Sequence, residues 1–317
     1  METPWQIVLF RVLAMAAVAG VGWWLRRRGT LSDDHVRALG RLVVEASFPA
    51  LTFGQMLRTV TPGTLSQQWL LPVLGLGLLL VAAAVAAAVA RFAAPPGSRT
   101  TFTFLGGMPN WIFLPLPIAQ AVYGDEGVQA VLLVNVSTQL FLWTFYVALL
   151  RGGLRGAHAV RGLFTNAGFL ATLAGITVAL LVPQARSWAG SRGPAGAALQ
   201  AVDLLGSLTV PLSLLVTGAQ LAGLKGAAPA PRGPVIWLLA TRLVLAPLAT
   251  AALLLPFSDR LSEASLHTLG LIALMPVAVT CGLFVEKFGG DRGLAARAIG
   301  YSTLAAVLTV PLLFALL

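Results

Sequence analysis

Apolar runs of about 20 residues, the length that crosses a bilayer as a helix, alternate along this chain with short polar stretches that hold most of its charges. In hydrocarbon each such run must close its own backbone hydrogen bonds, which makes helix the only reading. The pattern predicts spans at 4–25, 36–57, 69–91, 101–122, 127–150, 163–183, 196–221, 234–256, 265–286 and 294–316. Proline and glycine interrupt the fourth and ninth runs. The expected fold is an all-α polytopic membrane protein of about ten helices.

The polar positions inside the runs repeat. Ser137-Thr138 in the fifth run is followed by Thr144, and Ser302-Thr303 in the tenth by Thr309 at the same spacing. An aromatic-glycine-acid stretch precedes each: Tyr123-Gly124-Asp125-Glu126 and Phe288-Gly289-Gly290-Asp291. Upstream stand Met108-Pro109 and Met275-Pro276, and further upstream Pro49 and Pro211. Four matches in one order predict two repeats, 1–157 and 158–317, with no soluble domain. Five helices per repeat, an odd number, invert the second against the first, which is a pattern of secondary transporters.

Composition narrows the class further. Hydrophobic residues make up 57% of the chain and charged residues 10%, against about 25% charged in soluble domains. That leaves no surface for a catalytic domain outside the bilayer. The net charge of +10 falls mostly in alternate loops: Arg26, Arg27, Arg28 and Arg37; Arg91 and Arg99; Arg151, Arg155 and Arg161; Lys225 and Arg232; Lys287 and Arg292. Arg58, Arg186, Arg192 and Arg260 lie in the others. The positive-inside rule then puts the odd-to-even loops in the cytoplasm and both termini outside the cell (inner) membrane. Without a basic arm or basic-aromatic array, no nucleic acid partner is expected. The segment Pro4–Leu25 reads as a first span, because its basic cluster follows it. A single cysteine, Cys281, excludes an intramolecular disulfide and a cysteine metal cluster. His35, His158 and His267 fall in or near loops and suggest no metal site, and no cofactor is expected.

Chemistry concentrates at the interrupted runs. A proline within a helix removes an amide donor and frees carbonyls, which hydrocarbon tolerates only within protein or beside a wet cavity. Pro109-Asn110 and Pro117 in the fourth run, and Pro276 with Thr280 in the ninth, mark such breaks. Where two breaks cross, half-helix N-termini aim amides and partial positive charge at one place, which suits an anion. Asn135, Thr138, Gln139 and Gln220 add amides and a hydroxyl able to bond a carboxylate. Ionisable groups within spans are functional candidates by default. Glu45 and Asp203 are therefore ion-coupling candidates, Glu45 with Arg41 or Arg11 as an alternative ion-pair partner. Arg242 reads either as an attractor of anionic substrate from the cytoplasm or as a side chain snorkelling to the interface, and Arg297 as a snorkelling anchor.

From Asn110 to Pro117 the sequence resembles the auxin efflux carrier family, with Asn110, Phe113, Leu114, Leu116 and Pro117 in register and Ile112 and Pro115 where the family usually has glycines. Tyr123 to Gly127, Leu142-Trp143-Thr144, Pro211 to Leu214, Gly218 to Leu221, and Met275-Pro276 onward to Glu286 to Asp291 fit as well. The resemblance runs over essentially the whole chain. It implies ten helices in two inverted repeats, crossing fourth and ninth helices, and transport of a small organic anion by an elevator-like movement. Thr280 replaces an asparagine, and Asn135, Thr138 and Gln139 stand where acids and amides are frequent, so substrate identity does not carry over. The competing expectation is a sodium-coupled symporter of the related bile-acid type, and the coupling ion is proton, sodium or none. A lipid-modifying enzyme would need acids or histidines at one depth, which the sequence lacks. A receptor on the same fold would bind without flux. Apolar faces on the first, second, sixth and seventh spans suit a homodimer within the lipid bilayer.

Overall fold

In the computed structural model, which describes residues 4–152, 167–188, 190–223 and 232–315, the chain is helical almost throughout. The first part holds α1 (Pro4–Arg27), α2 (Asp33–Leu42), α3 (Phe48–Thr59), α4 (Pro62–Gln68), α5 (Leu70–Ala93), α6 (Arg99–Gly107), α7 (Pro115–Phe141) and α8 (Val147–Leu150). The second part holds α9 (Ala167–Leu181), α10 (Pro194–Ser207), α11 (Thr209–Gly223), α12 (Arg232–Ala240), α13 (Ala246–Leu254), α14 (Glu263–Leu274), α15 (Thr280–Phe288) and α16 (Arg292–Phe314). The expected boundary at 157/158 lies outside the described residues, as does His158.

Among the described residues, six stretches are long and apolar enough to cross a membrane: Gln6–Arg27, Leu70–Ala93, Pro115–Leu150, Pro194–Gly223, Arg232–Arg260 and Arg292–Phe314. Ala167–Leu181 and Glu263–Leu274 are shorter apolar helices. Fewer than ten stand out because broken or bent runs divide into pieces, while adjoining runs join. Pro115–Leu150 joins the expected fourth and fifth runs, yet its path turns at Gly124, where φ is 58° and ψ −139°. Gly289, in the matching motif, has φ 91°. Both are left-handed conformations that glycine adopts without strain, which explains the aromatic-glycine pairs. Past the second corner, Asp291 caps α16 by accepting from Leu294 N (2.9 Å), and it accepts from Ser98 Oγ (2.8 Å) at the foot of α6.

Two of the bends have a proline cause. The π-helical turns Val43–Ser47 and Thr241–Leu245 each precede a helix whose second residue is proline, Pro49 or Pro247. Proline has no amide to donate and crowds the preceding turn, and a widened turn accommodates it. The third such turn, Leu142–Tyr146, has no proline after it.

The helices pack in two groups. In one, α1 lies along α11, and α3 packs on α9 and α10. The α1–α11 seam is unusually close: a Cβ on Gly22 would stand 2.0 Å from the Leu215 carbonyl oxygen, and one on Gly218 1.7 Å from that of Ala19. Arg58 pairs with Asp203 (2.7 Å) between α3 and α10. In the other group α5 packs on α6, α7 and α13, and α14 packs on α7 and α13. The groups meet where α1 touches α7 and α16 and where α3 touches α7.

Candidate functional site

The two interrupted helices end as their sequences require. α6 stops at Gly107 and α14 at Leu274, and Met108 and Met275 are both extended. Beyond them the two linkers lie antiparallel, Pro109 opposite Val277. Asn110 N donates to Pro276 O (2.7 Å), and Ala278 N donates to Met108 O (3.3 Å). These bonds satisfy backbone groups that a broken helix would otherwise leave bare in a dry interior. Val277 N finds the Ser302 hydroxyl at 3.2 Å. Each break thus supplies what the other lacks.

Asn110 is buried, and its Oδ1 accepts from Phe113 N (3.2 Å), turning the chain toward α7. Trp111 Nε1 donates to Asn135 Oδ1 (2.9 Å), fastening the linker to the body of α7. The Asn135 Nδ2 is buried without a partner.

Arg242 overturns the snorkelling expectation. Its side chain is fully buried, and its guanidinium donates to Ala273 O (2.5 Å) and Gly106 O (3.3 Å). The π-helical turn that carries it directs it inward, between the last turns of α14 and α6. No carboxylate pairs with it among the described side chains.

A cavity of about 50 Å³ lies against the linkers, between the two helix groups. α1 gives it Val12 and Met15; the breaks give Asn110, Phe113, Met275 and Val279; α16 gives Thr303 and Val307. Its polar groups are Asn110, Ser213, Thr217 and Thr303, and the Thr303 hydroxyl is buried without a partner. A larger cavity, about 320 Å³, is lined by Arg26, Arg37, Arg292, Asp33 and Gln220, and Thr217 is common to both. A basic vestibule therefore adjoins the small cavity. In it Arg26 pairs with Asp33, and Arg37 with the nearby Asp34 (2.6 Å).

The structure brings together part of the expected set. Pro109, Asn110 and Pro276 meet at the crossing. Thr280 opens α15 one residue beyond the cavity wall, Gln220 lines the vestibule, and Pro117 sits in the first turn of α7. Asn135, Thr138 and Gln139 are buried in α7 outside both linings, and the Thr138 hydroxyl bonds back to Val134 O (2.9 Å). Glu45 is exposed on its π-helical turn and makes no ion pair with Arg41 or Arg11. Asp203 lies with Arg58, away from the crossing.

Sequence alone does not assign Thr217, Ser213 and Thr303 to the site, and it offers Arg242 only as an attractor of substrate from the cytoplasm. Ser213 and Thr217 stand one turn apart on α11, and Thr303 belongs to the repeated Ser-Thr pair, so signals existed. His267 has an acid one turn away, Glu263, with Nδ1 3.8 Å from Oε1; it also bonds the Tyr123 hydroxyl (2.6 Å). No group of three His, Cys, Asp or Glu among the described residues could hold a metal.

The sequence profile of a family described as Membrane transport protein matches residues 7–161 and 154–314. A relative described as an uncharacterized transporter, from Methanothermobacter thermautotrophicus, is 23% identical over 304 residues, covering 95% of each chain.

Proposed function

This chain belongs to the membrane transport protein family, that of the auxin efflux carriers, and is a multi-pass membrane transporter; we propose that it carries a small organic anion through the crossing of its two broken helices. The observation that carries this reading is the mutual pairing of the Met108–Asn110 and Met275–Ala278 linkers beside a cavity with an apolar wall and four hydroxyl or amide side chains. Such a lining fits an apolar body bearing a carboxylate, because amides and hydroxyls bond an anion without a buried counter-charge.

The ten spans form two inverted five-helix repeats, with α6–α7 and α14–α15 as the crossing pair. The close α1–α11 seam supports a fixed scaffold, and the cavity's position between the groups supports movement of the crossing against it. The vestibule faces the side carrying Arg26 to Arg28, hence the cytoplasm. An anion leaving a cell at negative potential gains about 2.3 kcal/mol per charge per 100 mV, so export needs no coupled ion.

The test is a flux screen of mono- and dicarboxylates in proteoliposomes, under imposed potential, proton and sodium gradients. Potential-dependent carboxylate flux indifferent to both ion gradients is expected. Flux that stops when potassium replaces sodium would establish the symporter reading, and binding without flux a receptor.

A further inference from the structure

Resting on the organic-anion reading above, we propose that Arg242 is the positioning residue that makes the crossing selective for anions, by serving as common counter-charge to the C-terminal ends of both half-helices.

The two carbonyls it holds are equivalent by repeat. Gly106 and Ala273 each lie two residues before the methionine of their Met-Pro pair, and both accept from the one guanidinium. A helix C-terminus carries roughly half a negative elementary charge, and an N-terminus the same amount positive. Four helix ends meet at the crossing: the C-termini of α6 and α14 and the N-termini of α7 and α15. Alone, these ends cancel and give no preference for sign. One fully buried arginine, with no carboxylate partner among the described residues, offsets the two negative ends and leaves the positive pair in excess. The field that favours an anion is then set by a residue outside the cavity lining.

The arrangement explains a second feature. An unpaired buried cation is costly within a membrane, yet here both C-terminal carbonyls and the dipoles behind them compensate it. A guanidinium also spans two carbonyls in a fixed plane, as an ammonium cannot.

The test compares phenylacetate with its neutral isostere phenylacetamide, binding each to the purified parental protein and to Arg242→Lys, Arg242→Gln and Arg242→Met. The assignment predicts a carboxylate-to-amide affinity ratio within about threefold of parental in Arg242→Lys, and a fall of about tenfold or more in the neutral variants. A merely structural role would weaken both ligands together and leave the ratio unchanged, which overturns the assignment. If the neutral variants fail to fold, Arg242→Lys decides: both affinities and their ratio retained supports the proposal, whereas both affinities weakened together, or a collapsed ratio, overturns it. If the parental protein binds neither probe, the organic-anion reading fails for this ligand class. Hydrogen exchange then tests Arg242 separately: amides of Met108 and Met275 should exchange faster together in Arg242→Lys, whose ammonium cannot span both carbonyls, and unchanged exchange at both would refute the shared clamp.

Discussion

Asn110 closes the first break three times over: its amide reaches Pro276, its side chain caps Phe113, and it lines the cavity. Only the last two use the side chain, so replacing it should harm binding more than folding. Trp111 is different, since its indole is the partner that Asn135 Oδ1 has. Trp111→Phe should cost about 1–3 kcal/mol, the usual effect of stranding a buried polar atom, read as a lower Tm in detergent; an unchanged Tm would mean that the bond contributes nothing. Asn110, Pro109 and Pro276 were legible in the sequence because a proline inside an apolar run announces itself. Thr217 and Thr303 carried only a spacing signal, and the inward aim of Arg242 carried none. Their importance depends on which way a helix is rotated, and the π-helical turn before Pro247 shifts that rotation at the arginine.

Helix ends and seams follow from glycine placement. On α1, a Cβ at Gly20 meets nothing within 4 Å, whereas one at Gly22 runs into the Leu215 backbone. Gly20→Ala should therefore be neutral or stabilising by about 0.5–1 kcal/mol, from helix propensity alone. Gly22→Ala must push α1 off α11 and should destabilise by about 1–3 kcal/mol. Thermal unfolding of the pair distinguishes a seam from a loose contact, and equal Tm values would deny the seam. Gly107→Ala is the corresponding change at the crossing, because a Cβ there would stand 2.0 Å from the Tyr146 hydroxyl. It should lower both Tm and transport. The corner glycines were visible as a repeated motif, but the seam glycines looked like any other small residues, since close approach is a tertiary fact.

Across the whole molecule, the apolar runs located the helices well, and the 101–122 and 265–286 runs did divide at their prolines. What periodicity left open was which apolar faces meet lipid and which meet protein, so the division into two groups with a cavity between them became visible only in three dimensions. That division makes a prediction about access. Cys281 is buried, so Thr217→Cys would offer the one reactive thiol at the junction of vestibule and small cavity. A membrane-impermeant thiol reagent should modify it from the side bearing Arg26 to Arg28, and phenylacetate should slow the reaction. Modification from the opposite side alone would reverse the assigned orientation.

Transport through the crossing depends most directly on Asn110. Labelled phenylacetate flux into proteoliposomes held positive inside, measured for the parental chain and for Asn110→Ala at equal folded amount, tests it. Loss of the side chain's bond should reduce initial rates about tenfold at low substrate, as removal of a charge-assisted hydrogen bond does, while Tm changes little. Potential-driven flux that is the same in both proteins would contradict transport through the crossing.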